Sequence, residues 1–303
     1  MIPKSWSKEY KKEVLDELLN DYTLQISKEF EKEIGCDIVS FSELKKEVEE
    51  EENNPEKYRG ILTGYPRLNN TLNGIRNGEL IVLSGASGTG KTLFAQCLTI
   101  KMLMDCKKIL FFSYEMPPKD IYKRYRIMFS HDTYTVPPDF QDNLPIYFPV
   151  TAPHTTEGLI AFIEKMKEEK EIEFVIIDHL HFFLRSNQNT SQEIGVITRE
   201  LKNTAIRLNI PILLLCHIRK LNHNGIPKLD DLKDSSSIAQ DADTVIVTWR
   251  SNDPKESENN RYMKIRILKN RREGRLNTID YKQSDYLYLE EQMYNKEIKG
   301  LEY

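Results

Sequence analysis

"LIVLSGASGTGKTLFAQCLTI", residues 80–100, runs from an apolar stretch through three glycines to a lysine, a threonine and a second apolar stretch. Within it Gly85-Ala86-Ser87-Gly88-Thr89-Gly90-Lys91-Thr92 fits GxxxxGK[ST], between a strand-like run and a helical pattern. Glycines carry no Cβ to hold an anion away, so successive backbone N–H groups and the positive end of the following helix can surround phosphates. Lys91 then reaches the β- and γ-phosphates as a point charge, and the Thr92 hydroxyl coordinates Mg²⁺. The stretch predicts a site for ATP or another nucleoside triphosphate with Mg²⁺.

Outward from this loop, β-rich runs at 80–84, 108–113, 144–149, 173–178, 211–217 and 244–249 alternate with helical patterns such as Ile194, Ile197, Leu201, Ala205 and Leu208. That alternation predicts an α/β fold with a mostly parallel central sheet covered by helices. The segments "RYMKIRILKN", "RLNTIDY" and "DYLYLEE" that follow read as closely spaced antiparallel strands at one sheet edge. Three of the parallel runs end on groups with chemistry. In "EFVIIDHLHFF" four apolar residues feed Asp178, whose carboxylate is expected to emerge beside the Mg²⁺. "KILFFSYEMPP" ends on Glu115, placed to orient and deprotonate the attacking water. "PILLLCHIRK" brings His217 to the γ-phosphate, where its ring can report hydrolysis to the residues after it.

Composition sets the wider frame. The 303 residues are 39% hydrophobic, enough for one dominant core, and no apolar run approaches the roughly 20 residues of a membrane span. "MIPKSWSKEYKKEVLDELL" carries no apolar leader, and Cys36, Cys97, Cys106 and Cys216 form no CxxC pair. The expectation is a soluble, cytoplasmic chain with reduced, packed thiols and no membrane partner. Charge is unevenly spread: residues 1–59 carry 16 acidic and 10 basic side chains, a net −6, and the remainder a net +2. Between Arg261 and Lys282 eight basic residues stand against two acidic ones, which permits a polyanion partner without requiring one.

Leu15, Leu18, Leu19, Tyr22, Ile26 and Phe30 recur at steps of three and four, the pattern of an amphipathic helix over about 7–34. "SFSELKKEVEEEENNPEKYRG" then reads as a short acidic helix and linker ending near Gly60. The expected division is residues 1–59 as a small helical extension and linker helix, and 60–303 as the nucleotide-binding domain.

Taken in order and spacing, "TGYPRLNNTLNGIRNGELIVLSGASGTGKT", "FFSYEMPP", "VIIDHLHFF", "ILLLCHIRK", "DLKDSSSIAQDADTVIV" and "IRILKNRREG" resemble the RecA-like motor domain of DnaB-type replicative helicases over about residues 60–290. His217, the Arg219-Lys220 pair and "LKNR" look most like Twinkle and the phage primase-helicases, since DnaB usually has Gln where His217 stands. The resemblance implies an ATP-dependent hexameric ring around single-stranded DNA, moving 5′ to 3′. It also implies a basic finger supplied to each site by a neighbouring subunit, here matched by Lys269 and Arg271. For DNA contact it implies Arg219, Lys220, Lys228 and Lys233 after the sensor strand and Arg185 after Asp178, making sequence-tolerant phosphate contacts. Ser236 departs from the family, which commonly has Gly there. Residues 1–59 are too short and too poor in Cys for a zinc-primase head, so a minimal helicase is expected. Its acidic linker would pack on the next subunit, and its first helix would form a collar or recruit another replication protein. Two other readings stay open: a RecA- or KaiC-like DNA-stimulated ATPase that does not unwind, and a scaffold whose nucleotide only locks an assembly.

Overall fold

The computed structural model describes residues 12, 39–130, 141, 143–184, 190–217, 227–229, 231, 236–250 and 261–292. The helix expected over 7–34, apart from Lys12, and Arg185, Arg219, Lys220 and Lys233 lie outside the described residues. The chain divides into two compact units, Met1–Tyr58 and Arg59–Tyr303.

In the first unit α1 spans Phe41–Asn53 and α2 spans Pro55–Tyr58. The α1 helix starts where it does because Ser40 and Glu43 form a capping box: the Ser40 hydroxyl accepts from the Glu43 N–H while the Glu43 carboxylate accepts from the Ser40 N–H at 2.7 Å. None of its side chains is buried, and Phe41, Leu44 and Val48 form an exposed apolar stripe on an otherwise glutamate-rich helix.

The second unit is built as α3 (Pro66–Leu72), β1 (Leu80–Gly85), α4 (Lys91–Met104), β2 (Ile109–Ser113), α5 (Pro118–Phe129), β3 (Ile146–Tyr147), α6 (Thr156–Lys170), β4 (Phe174–Asp178), α7 (Thr190–Leu208), β5 (Ile212–His217), α8 (Ser236–Asp241), β6 (Thr244–Trp249), β7 (Tyr262–Asn270), β8 (Thr278–Gln283) and β9 (Leu289–Glu291). The nine strands form one sheet in the order β3-β2-β4-β5-β1-β6-β7-β8-β9. The first six run parallel, and β7 to β9 add on antiparallel at one edge, as the sequence pattern predicts.

Strand side chains alternate between two cores, which is why the parallel strands read as continuous apolar runs. Ile81, Leu83, Phe111 and Leu213 face one layer with Phe94 and Leu98 of α4 and Tyr125 of α5. Leu80, Val82, Phe112 and Leu214 face the other, against Leu159 and Ile163 of α6 and Ile197, Leu201 and Ala205 of α7. Each Val, Leu, Ile or Phe among them contributes about 1.5–3 kcal/mol by leaving water. The strand expected over 144–149 shrinks to Ile146–Tyr147, which among the described residues pairs only with Ile109 and Leu110. Pro145 and Pro149 flank it and have no N–H to extend the ladder.

At the edge where the parallel strands begin, Asp243 holds three elements together. Its carboxylate accepts from the Leu80 N–H at 2.9 Å, from Lys202 Nζ on α7 at 2.6 Å and from Arg271 Nη1 after β7 at 3.1 Å.

Candidate functional site

The chemistry collects at the opposite edge, the carboxyl ends of the parallel strands. Gly85 ends β1 opposite His217 at the end of β5, and Ser113 at the end of β2 lies opposite Asp178 at the end of β4. Because β2, β4, β5 and β1 are consecutive neighbours, four strand ends converge on the loop before α4. That loop is fixed from both sides. A Cβ on Gly85 would lie 2.7 Å from the Thr248 carbonyl oxygen, and Gly90 has φ +98°, a conformation side chains resist. Thr89 Oγ1 lies 2.9 Å from Thr248 Oγ1 and donates to Ala86 O at 2.8 Å.

Lys91 is buried, and its ammonium donates to Gly85 O (3.0 Å), Ala86 O (3.1 Å) and His217 Nδ1 (3.1 Å). An ammonium only donates, so His217 Nδ1 accepts and the ring proton sits on Nε2, which faces Glu115 Oε1 at 3.4 Å. Burial, with the nearby Lys91 charge, holds the His217 pKa below the usual imidazole value. The Tyr114 N–H donates to Asp178 O at 2.7 Å, so the chain leaving β2 carries Glu115 over the end of β4.

Thr92 Oγ1 donates to Asp178 Oδ2 at 2.7 Å. Asp178 is fully buried, and its Oδ1 has no hydrogen-bond partner among the described residues. Burial pushes its pKa up to about 6, the Thr92 bond opposing and the Glu115 carboxylate reinforcing the rise. A hydroxyl and a carboxylate with one buried oxygen left over are the hard oxygen donors that Mg²⁺ takes, so Thr92 and Asp178 fit the ion. The raised pKa also has a consequence for stability. The folded chain binds more protons than the unfolded one between pH 3.8 and about 6, so stability falls as pH rises through that window. Asp178→Asn keeps the acceptor for Thr92 and removes the buried charge. Without bound ligand it should be more stable than the parent by roughly 3 kcal/mol at pH 7.5 and nearly equal to it near pH 3.5, read from denaturant midpoints.

A cavity of about 390 Å³ opens over this group and is lined by Lys91, Thr92, Glu115 and His217. Arg124 of α5, Arg250 after β6, Gln283 of β8 and Leu287 line it as well. Sequence reading passed over all four, because they come from separate elements that only the sheet order brings together. It also passed over His179 and His181, although the Asp-His-Leu-His run was in view. His179 Nδ1 lies 3.7 Å from Glu115 Oε1, and the His179 and His217 rings meet edge to face at 4.7 Å. Burial pushes the His181 pKa down to about 4.

Lys269 and Arg271 are not in this group. Lys269 Nζ donates to Gln240 O and Ala242 O at the end of α8, and Arg271 to Gln240 O and Asp243, all at the edge where the parallel strands begin. The six residues of β1 separate that edge from the chain's own phosphate loop by about 20 Å. Lys228 is exposed, its N–H donating to the Asp231 carboxylate.

The replicative DNA helicase DnaB of Mycoplasma pneumoniae is 30% identical over 297 residues, covering 84% of this chain and 63% of that protein. The replicative DNA helicase DnaC of Bacillus subtilis is 27% identical over 250 residues, covering 74% and 55%. The chain thus spans between about half and two thirds of these relatives' lengths. Among solved structures, an ATPase domain superposes with TM-score 0.73 at 22% identity, covering 84% of this chain and 99% of that one. A DnaB-like replicative helicase, described with its interactions with primase, superposes with TM-score 0.69 at 21% identity, covering 93% and 76%. These superpositions show a shared fold. The model of the DnaB-like helicase C-terminal domain matches residues 60–136 and 139–288, and the chain belongs to that family.

Proposed function

We propose that this chain is the nucleoside-triphosphate-driven motor of a replicative DNA helicase, acting as a hexameric ring that moves 5′ to 3′ on single-stranded DNA. One observation carries the reading: Lys91, Thr92, Glu115 and His217 line one cavity, and Asp178, buried beneath it, accepts from Thr92, the five delivered by four strand ends. ATP with Mg²⁺ is the ligand this set suits. The P-loop N–H groups and Lys91 bind the phosphates, while Thr92 and Asp178 hold the ion, which neutralises charge on the phosphoryl oxygens. Arg124 adds a cation from the side, and Arg250, Gln283 and Leu287 offer a surface for the nucleoside. Glu115 orients water and takes its proton.

The His217 bridge supplies the coupling. Phosphate draws the Lys91 ammonium off His217 Nδ1, freeing a ring whose other nitrogen faces Glu115. The state of the phosphate is thereby felt at the end of β5, from which the chain continues to Arg219 and Lys220, proposed with Lys228, Lys233 and Arg185 as the DNA grip. Single-stranded DNA should raise turnover severalfold, and the protein should displace a strand from a forked duplex. Equal turnover with and without DNA, and no displacement, would refute the motor.

Lys269 and Arg271 point the same way. At the edge remote from their own phosphate loop, they lie too far to serve their own site, and a role at another copy's site is the reading proposed for them. Residues 1–59 and 60–303 are proposed as extension and motor, and α1 has the make-up of an inter-copy clamp. Phe41, Leu44 and Val48 are 86%, 46% and 51% exposed on one stripe. A cavity of about 380 Å³ between α5 and β3 offers Tyr122, Phe129 and Phe148 with Lys119 and Arg126 on its rim. Apolar stripe and glutamates on one copy complement apolar groove and cations on the next. Leu44 is not a buried side chain, so Leu44→Asp should leave folding intact and shift sedimentation toward smaller species. Unchanged sedimentation would remove the clamp.

A further inference from the structure

Beside the oxygen pair Thr92 and Asp178 lies a second cluster with different ligand chemistry. Glu115, His179 and His217 each offer one ligand atom, and the three atoms lie within 4.8 Å of one another. Glu115 Oε1 stands 3.4 Å from His217 Nε2 and 3.7 Å from His179 Nδ1. A zinc ion held at its usual bond lengths of about 2.0–2.1 Å requires tetrahedral ligands about 3.3 Å apart, so two pairs are already close to that spacing. The remaining pair must close by up to about 1.5 Å, within reach of histidine χ2 torsions and of a half-exposed glutamate.

We infer that Glu115, His179 and His217 form a binding site for a borderline divalent transition ion, Zn²⁺ in the first instance, separate in its ligands from the Mg²⁺ pair. Two imidazoles and one carboxylate form a set that Zn²⁺ accepts and Mg²⁺ does not favour, so the two ions sort by donor type. His179 Nδ1 is buried without a hydrogen-bond partner among the described residues, so it has no bond to give up. At His217 the ring proton moves from Nε2 to Nδ1, and Lys91 withdraws from Nδ1 while keeping its bonds to Gly85 O and Ala86 O. Ligation therefore needs no net proton release from that ring. Glu115 and His217 line the cavity of about 390 Å³, which gives the ion a way in and leaves its fourth position to water.

The consequence for turnover rests on the reading of Glu115 as general base. A carboxylate bound to zinc is a weaker and misdirected base, and a metal-bound His217 no longer answers Lys91. Micromolar Zn²⁺ should then arrest hydrolysis, reversibly on chelation.

The test is titration of the full chain with Zn²⁺ against a chromophoric competitor, in excess Mg²⁺ and without nucleotide. The expected result is one equivalent bound by the parent and by a Cys36→Ser, Cys106→Ser variant, and an affinity at least about tenfold weaker in both His179→Ala and Glu115→Gln. Co²⁺ in place of Zn²⁺ should give a visible absorption band that is lost in the same two variants. Absence of uptake by the parent, or undiminished uptake by both variants, overturns the site. Stoichiometric zinc that leaves turnover unchanged overturns the control of Glu115. A chain that takes up zinc as described but hydrolyses no triphosphate supports the site and overturns the motor instead.

Discussion

Glu115→Gln is expected to bind nucleotide as tightly as the parent and to lose about 10²–10⁴ in turnover. That is the usual weight of a positioned general base. Gln has the shape of Glu and an amide oxygen that still faces His217 and His179, so the cavity persists while its proton acceptor does not. The variant should hold single-stranded DNA persistently, because the unhydrolysed state cannot advance. Single-turnover kinetics with a nucleotide-binding assay checks both halves. Normal turnover would show that the acceptor is elsewhere, and weakened nucleotide binding would show that Glu115 is a binding group.

The second large effect concerns Arg271. If its guanidinium stabilises the charge of phosphoryl transfer in another copy's site, Arg271→Ala should lose about 10³–10⁵ in turnover. The local bonds to Gln240 O and Asp243 complicate that prediction, since a truncated Arg271 leaves the Asp243 carboxylate with only Leu80 N–H and Lys202. Unfolding midpoints separate the two effects. A pure loss of the ion pair lowers the midpoint and leaves turnover per folded chain intact, whereas loss of the finger abolishes turnover in a folded chain.

The sequence was most legible where burial dictates composition. "LIVLSG", "ILFFS" and "ILLLCH" are apolar on both faces because both faces of the sheet are covered, so their positions and parallel pairing could be read directly. The terminal strands were legible for a different reason: β7 alternates half-buried and buried side chains along most of its length, as a strand with one open face does. The weak point was β3, where two prolines cut a six-residue apolar pattern down to a two-residue pair. In the site, residues attached to strand ends could be foreseen because the motif fixes their direction. Arg124 and Gln283 could not, because a helix and the last strand but one of the sheet bring them to the cavity through sheet order alone. His179 and His181 were visible as letters, but their nearness to Glu115 and His217 depends on how the turn after β4 folds back beside β5. The remote placement of Lys269 and Arg271 follows from the antiparallel direction of β7, whose end pairs with the start of β6, and not from "LKNR" itself.

Mixed assemblies test the central claim, a triphosphate site divided between copies, most directly. Arg271→Ala chains carry an intact phosphate loop and no finger, and Lys91→Ala chains carry the finger and a disabled loop. Neither should hydrolyse ATP alone. Combined in equal amounts with single-stranded DNA, they should recover turnover through junctions that pair one intact loop with one intact finger. A mixture as inactive as its two components, in assemblies shown by mass measurement to contain both, would contradict the account.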